Sequence, residues 1–367
     1  MNVALLDRSR AQTTVQAVID CDVHQAARSI ADLKPYLSER WRHHIETYGL
    51  RRRLGEAIGP AYPKGQPGAM RRDAWPEDGG RPGSDLGLMQ RQHLDPNHVA
   101  FAILNPLTPT GQGMQNAELS AALCNAVNRW QIDAWTSQDP RLRASITVPY
   151  EDGPAAAAEI ERWGGDANFA QVLLLTRTAE PLGQRRYWPI YEAAERAGLP
   201  VGIHAFGYGG QPITGGGWPS FYLEEMSGHA QCAAAVLTSL IMEGVFARFP
   251  RLSVVLTEAG FAWLPSLLWR LDKLWHRMRD EVPHVVEPPS ATVRRQVWLT
   301  TQPMEEPEHR PHFRDIVEWI GADRLLYASD YPHWDFDDPN LAFPVALSPE
   351  VKETIAFGNA ARLYHLS

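Results

Sequence analysis

The feature that most restricts the fold of this chain is an alternation of two kinds of segment. Eight short apolar runs rich in β-branched residues are separated by longer stretches whose apolar residues fall at helical spacing. The runs are AVIDCDVH (17–24), HVAFAILN (98–105), RASITVPY (143–150), AQVLLLT (170–176), PVGIHAF (200–206), LSVVLTEAG (252–260), VWLTTQ (297–302) and LLYASDYPH (325–333). The helical stretches include 117–135, 187–198, 230–249 and 261–278. Strands that are apolar on both faces belong in a parallel sheet covered by helices. Eight strand–helix repeats favour closure into a (β/α)8 TIM barrel over an open sheet. The chain has 367 residues, 44% of them hydrophobic, which is core enough for one such barrel. A single barrel domain over 15–367 is expected, preceded by a flexible tail over 1–14.

Two insertions interrupt the pattern. Residues 57–84, rich in Pro and Gly, follow strand one, and the Gly-rich GYGGQPITGGGWPSF (207–221) follows strand five. Loops leaving the C-terminal ends of barrel strands build the active face, so both should overhang its mouth as lid or pocket wall. Plain surface loops are the alternative.

Charge and cysteine usage narrow the chemistry. The net charge of −8 comes with dispersed Lys and Arg, so the concentrated basic face that binds nucleic acid is missing. No apolar run approaches the roughly 18–20 residues that span a bilayer, and the first residues carry no secretory pattern. A cytoplasmic protein with a small-molecule substrate, and neither nucleic acid nor membrane as partner, is the expectation. Cys21, Cys124 and Cys232 lie far apart without a CxxC pair. Any metal must therefore be held by His and carboxylates.

Residues of that type stand at the ends of otherwise apolar strands. Asp20, Asp22 and His24 end strand one, His204 strand five, Glu258 strand six and Asp330 strand eight. A barrel brings these ends around one axis. Residues two apart on a strand share a side, so Asp22 and His24 can face the centre and hold one cation, with Asp20 one step deeper as a supporting residue. Carboxylates and imidazoles gathered there without a cation would bury uncompensated charge at a cost of several kcal/mol.

The segments IDCDVH, GIHAF, RFPRLSVVLTEAGFAWLP and RLLYASDYPHWD together resemble the amidohydrolase superfamily. The branch resembled contains aminocarboxymuconate-semialdehyde decarboxylase, γ-resorcylate decarboxylase and zinc-dependent ring-cleavage-product hydrolases, and the likeness runs from about Val15 to the C-terminus. It implies that His24, His204 and Asp330 are metal ligands, with Asp22 standing where the family often has the first His of an HxH. A carboxylate there adds charge and a hard oxygen, which widens the choice of ion to Zn²⁺, favoured here, or Mn²⁺. Strand four, LLLT, offers no Lys for a bridged pair of ions, so one divalent metal is expected. The resemblance also implies a homodimer.

Where related decarboxylases often carry a His on strand six, this chain has TEAG. Glu258 can then be a general acid or base, a metal ligand or a loop anchor. His229, in SGHA, can exchange protons with a substrate or simply begin a helix. Asp330 doubles as a candidate base, and Phe206, Trp218, Tyr331 and His333 are candidate pocket residues. Of the 13 tryptophans, most others sit on helical stretches and read as core.

Two reactions use the same ligands. One is hydrolysis of a small cyclic or unsaturated carbonyl compound by metal-activated water, favoured by a carboxylate at position 258. The other is decarboxylation of an aromatic or unsaturated acid, which needs a cation for the substrate carboxylate. Arg51, Arg52 and Arg53 are candidates, or else a solvated helix end. A barrel without catalysis, serving as a binding protein, is the third reading.

Overall fold

The structure, a computed structural model, describes residues 17–50, 69–207 and 211–367. Eight strands form one parallel sheet in sequential order, β1 to β8. They are β1 (Val18–Val23), β2 (Val99–Leu104), β3 (Leu142–Thr147), β4 (Phe169–Arg177), β5 (Val201–Gly207), β6 (Val254–Thr257), β7 (Val297–Thr300) and β8 (Leu325–Leu326). Closure of β8 onto β1 rests on three backbone bonds: Cys21 N to Tyr327 O at 3.0 Å, Asp330 N to Asp22 O at 3.0 Å, and His24 N to Tyr331 O at 2.7 Å. The expected (β/α)8 barrel is therefore the fold.

Two apolar layers hold it. Ile19, Cys21, Ile103, Val255 and Leu326 come from strands that are mostly not neighbours in the sheet, so they fill the barrel, and Ala360 and Tyr364 of the C-terminal segment pack with them. The opposite strand faces, such as Ile203, Val254, Leu256 and Leu299, join one large cluster with the surrounding helices.

Helices Ala117–Gln131, Trp188–Ala197 and Leu264–Met278 fall where the periodicity places them. The helix after β5 is an exception. It runs Tyr222–Met242, beginning eight residues before the expected start at 230. The polar first turn hid it: the Glu224 carboxylate accepts the N–H groups of Ser220 and Phe221 at 2.8 and 2.7 Å, a cap that propensity alone does not reveal. The eighth strand ends at Leu326, short of its apolar run, and the chain turns at Asp330, whose φ is 62°.

Among the described residues no helix is long and apolar enough to cross a membrane. Cys21, Cys124 and Cys232 are free thiols.

Candidate metal centre

Strand one does not follow simple alternation. Ile19 and Cys21 face the barrel interior, while Asp20 binds His93 Nε2 at 2.7 Å and accepts the Ser329 N–H at 2.9 Å. The β1–β2 register shifts between Asp20 and Val23. Such an irregularity re-aims the residues beyond it, so Asp22 and His24 meet at the mouth while Asp20 ties β1 to the loop after β8. The expectation that Asp20 shares the side of Asp22 is corrected by this shift.

At the mouth, Asp22, His24, His204 and Glu258 are buried and offer four ligand atoms within 4.8 Å of one another. His24 Nε2 lies 3.3 Å from Asp22 Oδ1 and 2.9 Å from Asp330 Oδ1. His204 Nε2 lies 3.2 Å from both Asp22 Oδ2 and Glu258 Oε2. Asp330 forms an adjoining trio with His24 and His333, whose Nδ1 stands 2.5 Å from Asp330 Oδ1. Both site imidazoles present the same nitrogen. His24 Nδ1 is within 2.7 Å of the Asn105 carbonyl, and His204 Nδ1 within 2.7 Å of the Ala205 carbonyl, so each Nδ1–H donates outward and each Nε2 is the nitrogen turned to the centre.

These atoms fit a divalent cation. Asp22 Oδ2, His24 Nε2, His204 Nε2 and Glu258 Oε2 are buried without a hydrogen-bond partner, on the four residues whose ligand atoms lie within 4.8 Å of one another. Buried polar atoms are almost always satisfied, and a mixed imidazole and carboxylate set is a normal donor shell for a first-row divalent ion.

The electrostatics sort the carboxylates. Burial alone would raise Asp330, but His333 and His24 outweigh it and hold the carboxyl well below its usual range, hence ionised. Burial and the neighbouring Asp330 push Glu258 well above the usual range, the direction that favours its protonated form. Burial would depress His24, yet Asp22 and Asp330 push it up to about 9; Asp22 and Glu258 do the same for His204 against its own burial, again to about 9.

Backbone strain marks the same place. Phe206, Glu258 and Asp330 have φ of 80°, 55° and 62° at the ends of β5, β6 and β8. Each left-handed non-glycine residue costs about 1–3 kcal/mol and aims its side chain where a regular strand would not. Gly260 follows with φ 61°, and a Cβ there would lie 2.4 Å from Glu305 Oε1. Glu305 accepts the N–H groups of Phe261 and Ala262 at 2.9 Å each, which fixes the turn that presents Glu258.

A cavity of about 590 Å³ opens on His24 and His204. Leu107, Leu173, Leu175 and Phe206 give it apolar walls, and the first insertion closes one side with Ala69, Met70, Trp75 and Arg81. That insertion is stitched to the strand-eight loop through Arg71 N to Pro332 O and Trp334 N to Ala69 O, both 3.0 Å. The part of it over 57–68 lies outside the described residues, as do Arg51, Arg52, Arg53 and the tail over 1–14.

Of the candidate pocket residues, Phe206 and His333 line this cavity. Tyr331 does not: it is buried with its ring stacked on His93 and its hydroxyl donating to Gln92 Oε1 at 2.9 Å. Trp218 is also outside the lining and is exposed on the second insertion. His229 sits in the second turn of its helix, not at its start, with Nδ1 3.6 Å from Glu258 Oε1 and its ring edge-on to Phe206.

Sequence reasoning missed Asn105, which holds both Asp22 and His24, and Gln302, whose amide donates to Asp330 Oδ2 at 3.3 Å. Both end strands, β2 and β7, at the same barrel face as the ligands. That position was the available signal, but a neutral amide carries no metal-ligand signature. Arg81 was missed as well, because a lone arginine in a Gly-Pro loop looks like any solvated charge.

A barrel with this donor set at its C-terminal mouth belongs to the class of metal-dependent hydrolases and lyases. The amidohydrolase family model matches residues 19–366, and the chain belongs to that family. It is an enzyme, of the metal-dependent amidohydrolase-type hydrolase or decarboxylase kind. It is 25% identical over 301 residues to γ-resorcylate decarboxylase of Polaromonas sp. (strain JS666 / ATCC BAA-500), covering 75% of this chain and 86% of that protein. To γ-resorcylate decarboxylase of Rhizobium sp. (strain MTP-10005) it is 24% identical, over 74% and 85% of the two chains. Among solved structures, 5-carboxyvanillate decarboxylase of Novosphingobium aromaticivorans, complexed with manganese and 4-hydroxy-3-methoxy-5-nitrobenzoic acid, superposes with a TM-score of 0.71 at 19% identity, covering 96% of each chain. These relatives favour the decarboxylation reading over the hydrolytic one, and they support a divalent metal without singling out zinc.

Proposed function

We propose that this protein is a divalent-metal-dependent decarboxylase of a hydroxylated aromatic carboxylic acid, with Mn²⁺ as its ion. The observation that carries the reading is the cavity itself: an apolar-walled space with the donor cluster at one end and a cationic Arg81 in its lining. The preference for manganese over the expected zinc follows from the hard carboxylate donors beside the two imidazoles, and from the manganese found in structures of relatives.

His24, His204, Asp22 and Asp330 would hold the ion. Asp330, which His333 and His24 hold well below the usual carboxylate range, is taken as the ligand, and Glu258, whose carboxyl burial and Asp330 push upward, as the proton carrier. When bound, the ion supplies a fixed positive charge that anchors oxygens of the substrate and stabilises negative charge on the ring. The chain's own residues do the rest. Leu173, Leu175 and Phe206 enclose the flat ring and exclude water. Arg81 lines the same space and offers a fork for a carboxylate. Glu258 gives its proton to the ring carbon as the bond to the carboxylate breaks; the bonding pair stays on that carbon and carbon dioxide leaves. His229, beside Glu258, returns the proton. The described part of the insertion, 69–84, acts as the lid, and association as a homodimer belongs to the same proposal on family resemblance alone.

The test is to incubate manganese-loaded protein with a panel of hydroxybenzoates and follow carbon dioxide release. Turnover of at least one member, lost on chelation, is expected. Hydrolysis of lactones or amides with no decarboxylation anywhere in the panel would refute the reading.

A further inference from the structure

The Asp22 carboxylate has two equivalent oxygens and can turn between them; Oδ1 and Oδ2 lie 3.3 and 3.2 Å from His24 and His204 Nε2, yet only Oδ2 is left without a hydrogen-bond partner. Oδ2 points to His204 Nε2, and Oδ1 accepts the Asn105 side-chain N–H at 2.8 Å. Asn105 is itself held. Its Oδ1 accepts the Ser145 hydroxyl at 2.7 Å and the Gln171 amide at 3.2 Å, and Gln171 Nε2 also donates to Ser145 Oγ at 3.1 Å. Gln171 Oε1 in turn accepts the Tyr364 hydroxyl at 3.0 Å. Every donor therefore points the same way, from Tyr364 at the C-terminus through β4, β3 and the end of β2 to Asp22 on β1.

All five residues are at least nine-tenths buried, in a barrel interior that side chains of Val, Ile and Leu ordinarily fill. A polar layer there is favourable only when its members are satisfied, and the side-chain oxygens and nitrogens of this one all have partners except Asp22 Oδ2, the oxygen left for the ion. The direction of the bonds also fixes both amides. An ionised Asp22 can only accept, so Asn105 must turn its NH₂ to it and its carbonyl to Ser145 and Gln171. Room for the layer is cut into β5: a Cβ on Gly202 would stand 2.8 Å from the Gln171 side-chain carboxamide. The Asn105 carbonyl meanwhile takes the His24 Nδ1–H at 2.7 Å, so one residue sets two ligands.

We infer that the chain Tyr364–Gln171–Asn105 positions the metal ligand Asp22, holding Oδ1 so that the carboxylate meets the ion through Oδ2 alone. This inference rests on the metal centre of the proposed function and not on the reaction. Asn105, Gln171 and Tyr364 are positioning residues, and the C-terminal segment becomes part of the metal site although it lies on the far side of the barrel.

The experiment measures Mn²⁺ affinity by titration calorimetry, with the electron paramagnetic resonance spectrum of the bound ion recorded alongside, for the full chain and for Tyr364→Phe, Gln171→Leu, Asn105→Leu and the Asn105→Leu/Gln171→Leu pair. Partners behind a ligand typically change metal affinity about 10- to 100-fold. Asn105→Leu should fall in that range, Gln171→Leu and Tyr364→Phe below it, each with an altered Mn²⁺ spectrum. Once Asn105 is gone, adding Gln171→Leu should change affinity no further, because its path to Asp22 is cut. Tyr364→Phe keeps the packing and guards against a folding failure in the others. Equal affinities and spectra in Tyr364→Phe and Gln171→Leu, or additive losses in the pair, would overturn the inference while leaving the metal centre intact. Absence of Mn²⁺ binding by the unaltered protein would instead remove the centre on which it rests.

Discussion

Removing the metal should reverse the way stability depends on pH. In the metal-free protein His24 and His204 are held protonated by the carboxylates around them, with pKa values up to about 9 against an ordinary 6.5. A group raised on folding contributes stability that is complete below its unfolded value and is lost as pH climbs through the folded value. The window therefore runs from about pH 6.5 to about 9. At roughly 1.4 kcal/mol per pH unit, the rise of either imidazole is worth on the order of 3 kcal/mol, and the pair less than twice that because both draw on Asp22. For a chain of this size that is a fall of several °C in Tm. Asp335 and Asp337, raised to about 7 chiefly by burial, have largely titrated by pH 8. Glu258 and the three thiols, also raised by burial, lower stability in the same direction above pH 8, so the histidine share is read as the difference from His24→Ala and His204→Ala. With Mn²⁺ in excess the slope should invert, since the ion binds imidazoles that have lost their protons and its affinity grows as pH rises. Scanning calorimetry of chelator-treated and Mn²⁺-saturated protein at half-unit pH steps reads both slopes. A metal-free Tm that holds or rises between pH 8 and 9.5 would show that these imidazoles are not the charged partners of Asp22 and Asp330.

His24→Ala and His204→Ala should each abolish metal retention in a folded protein, seen as normal circular dichroism with no ion by elemental analysis; normal occupancy removes the ligand assignment. Glu258→Gln should lower turnover by roughly 10² to 10⁴ with the ion still bound, whereas loss of metal with activity would make Glu258 a ligand. Arg81→Met should cost about 10- to 100-fold in kcat/KM for a carboxylate substrate, mostly through KM, and unchanged kinetics would leave the cavity's cation without a role. Light scattering should give the mass of a dimer, and a monomer mass removes that part of the proposal.

What the sequence made legible was whatever is carried by period and by strand ends. The eight apolar runs became the eight strands, and the ligand-type residues at the ends of β1, β5, β6 and β8 came together as expected. Strand periodicity failed where the backbone departs from a regular ladder. The register shift after Asp20 sends that residue to His93 instead of the site, and Tyr331 follows the turn at Asp330 into the core. Neutral side chains were invisible for a different reason. Asn105, Ser145 and Gln171 look like polar interruptions of apolar strands, and only the closed barrel reveals that they face one another. The lean towards hydrolysis rested on Glu258 acting as a base. Burial and the neighbouring Asp330 push its carboxyl upward, which suits a proton donor to carbon.

The central claim is that this barrel removes a carboxylate and puts a proton in its place. The most direct measurement is turnover of a ¹³C-carboxyl-labelled hydroxybenzoate by the Mn²⁺-loaded protein in deuterated, ¹⁸O-enriched water, read by mass spectrometry before released carbon dioxide exchanges its oxygen. ¹³C should leave as carbon dioxide, and the aromatic product should gain one deuterium on ring carbon and no ¹⁸O. A product that retains the ¹³C carboxylate, or that carries ¹⁸O from water, would contradict it.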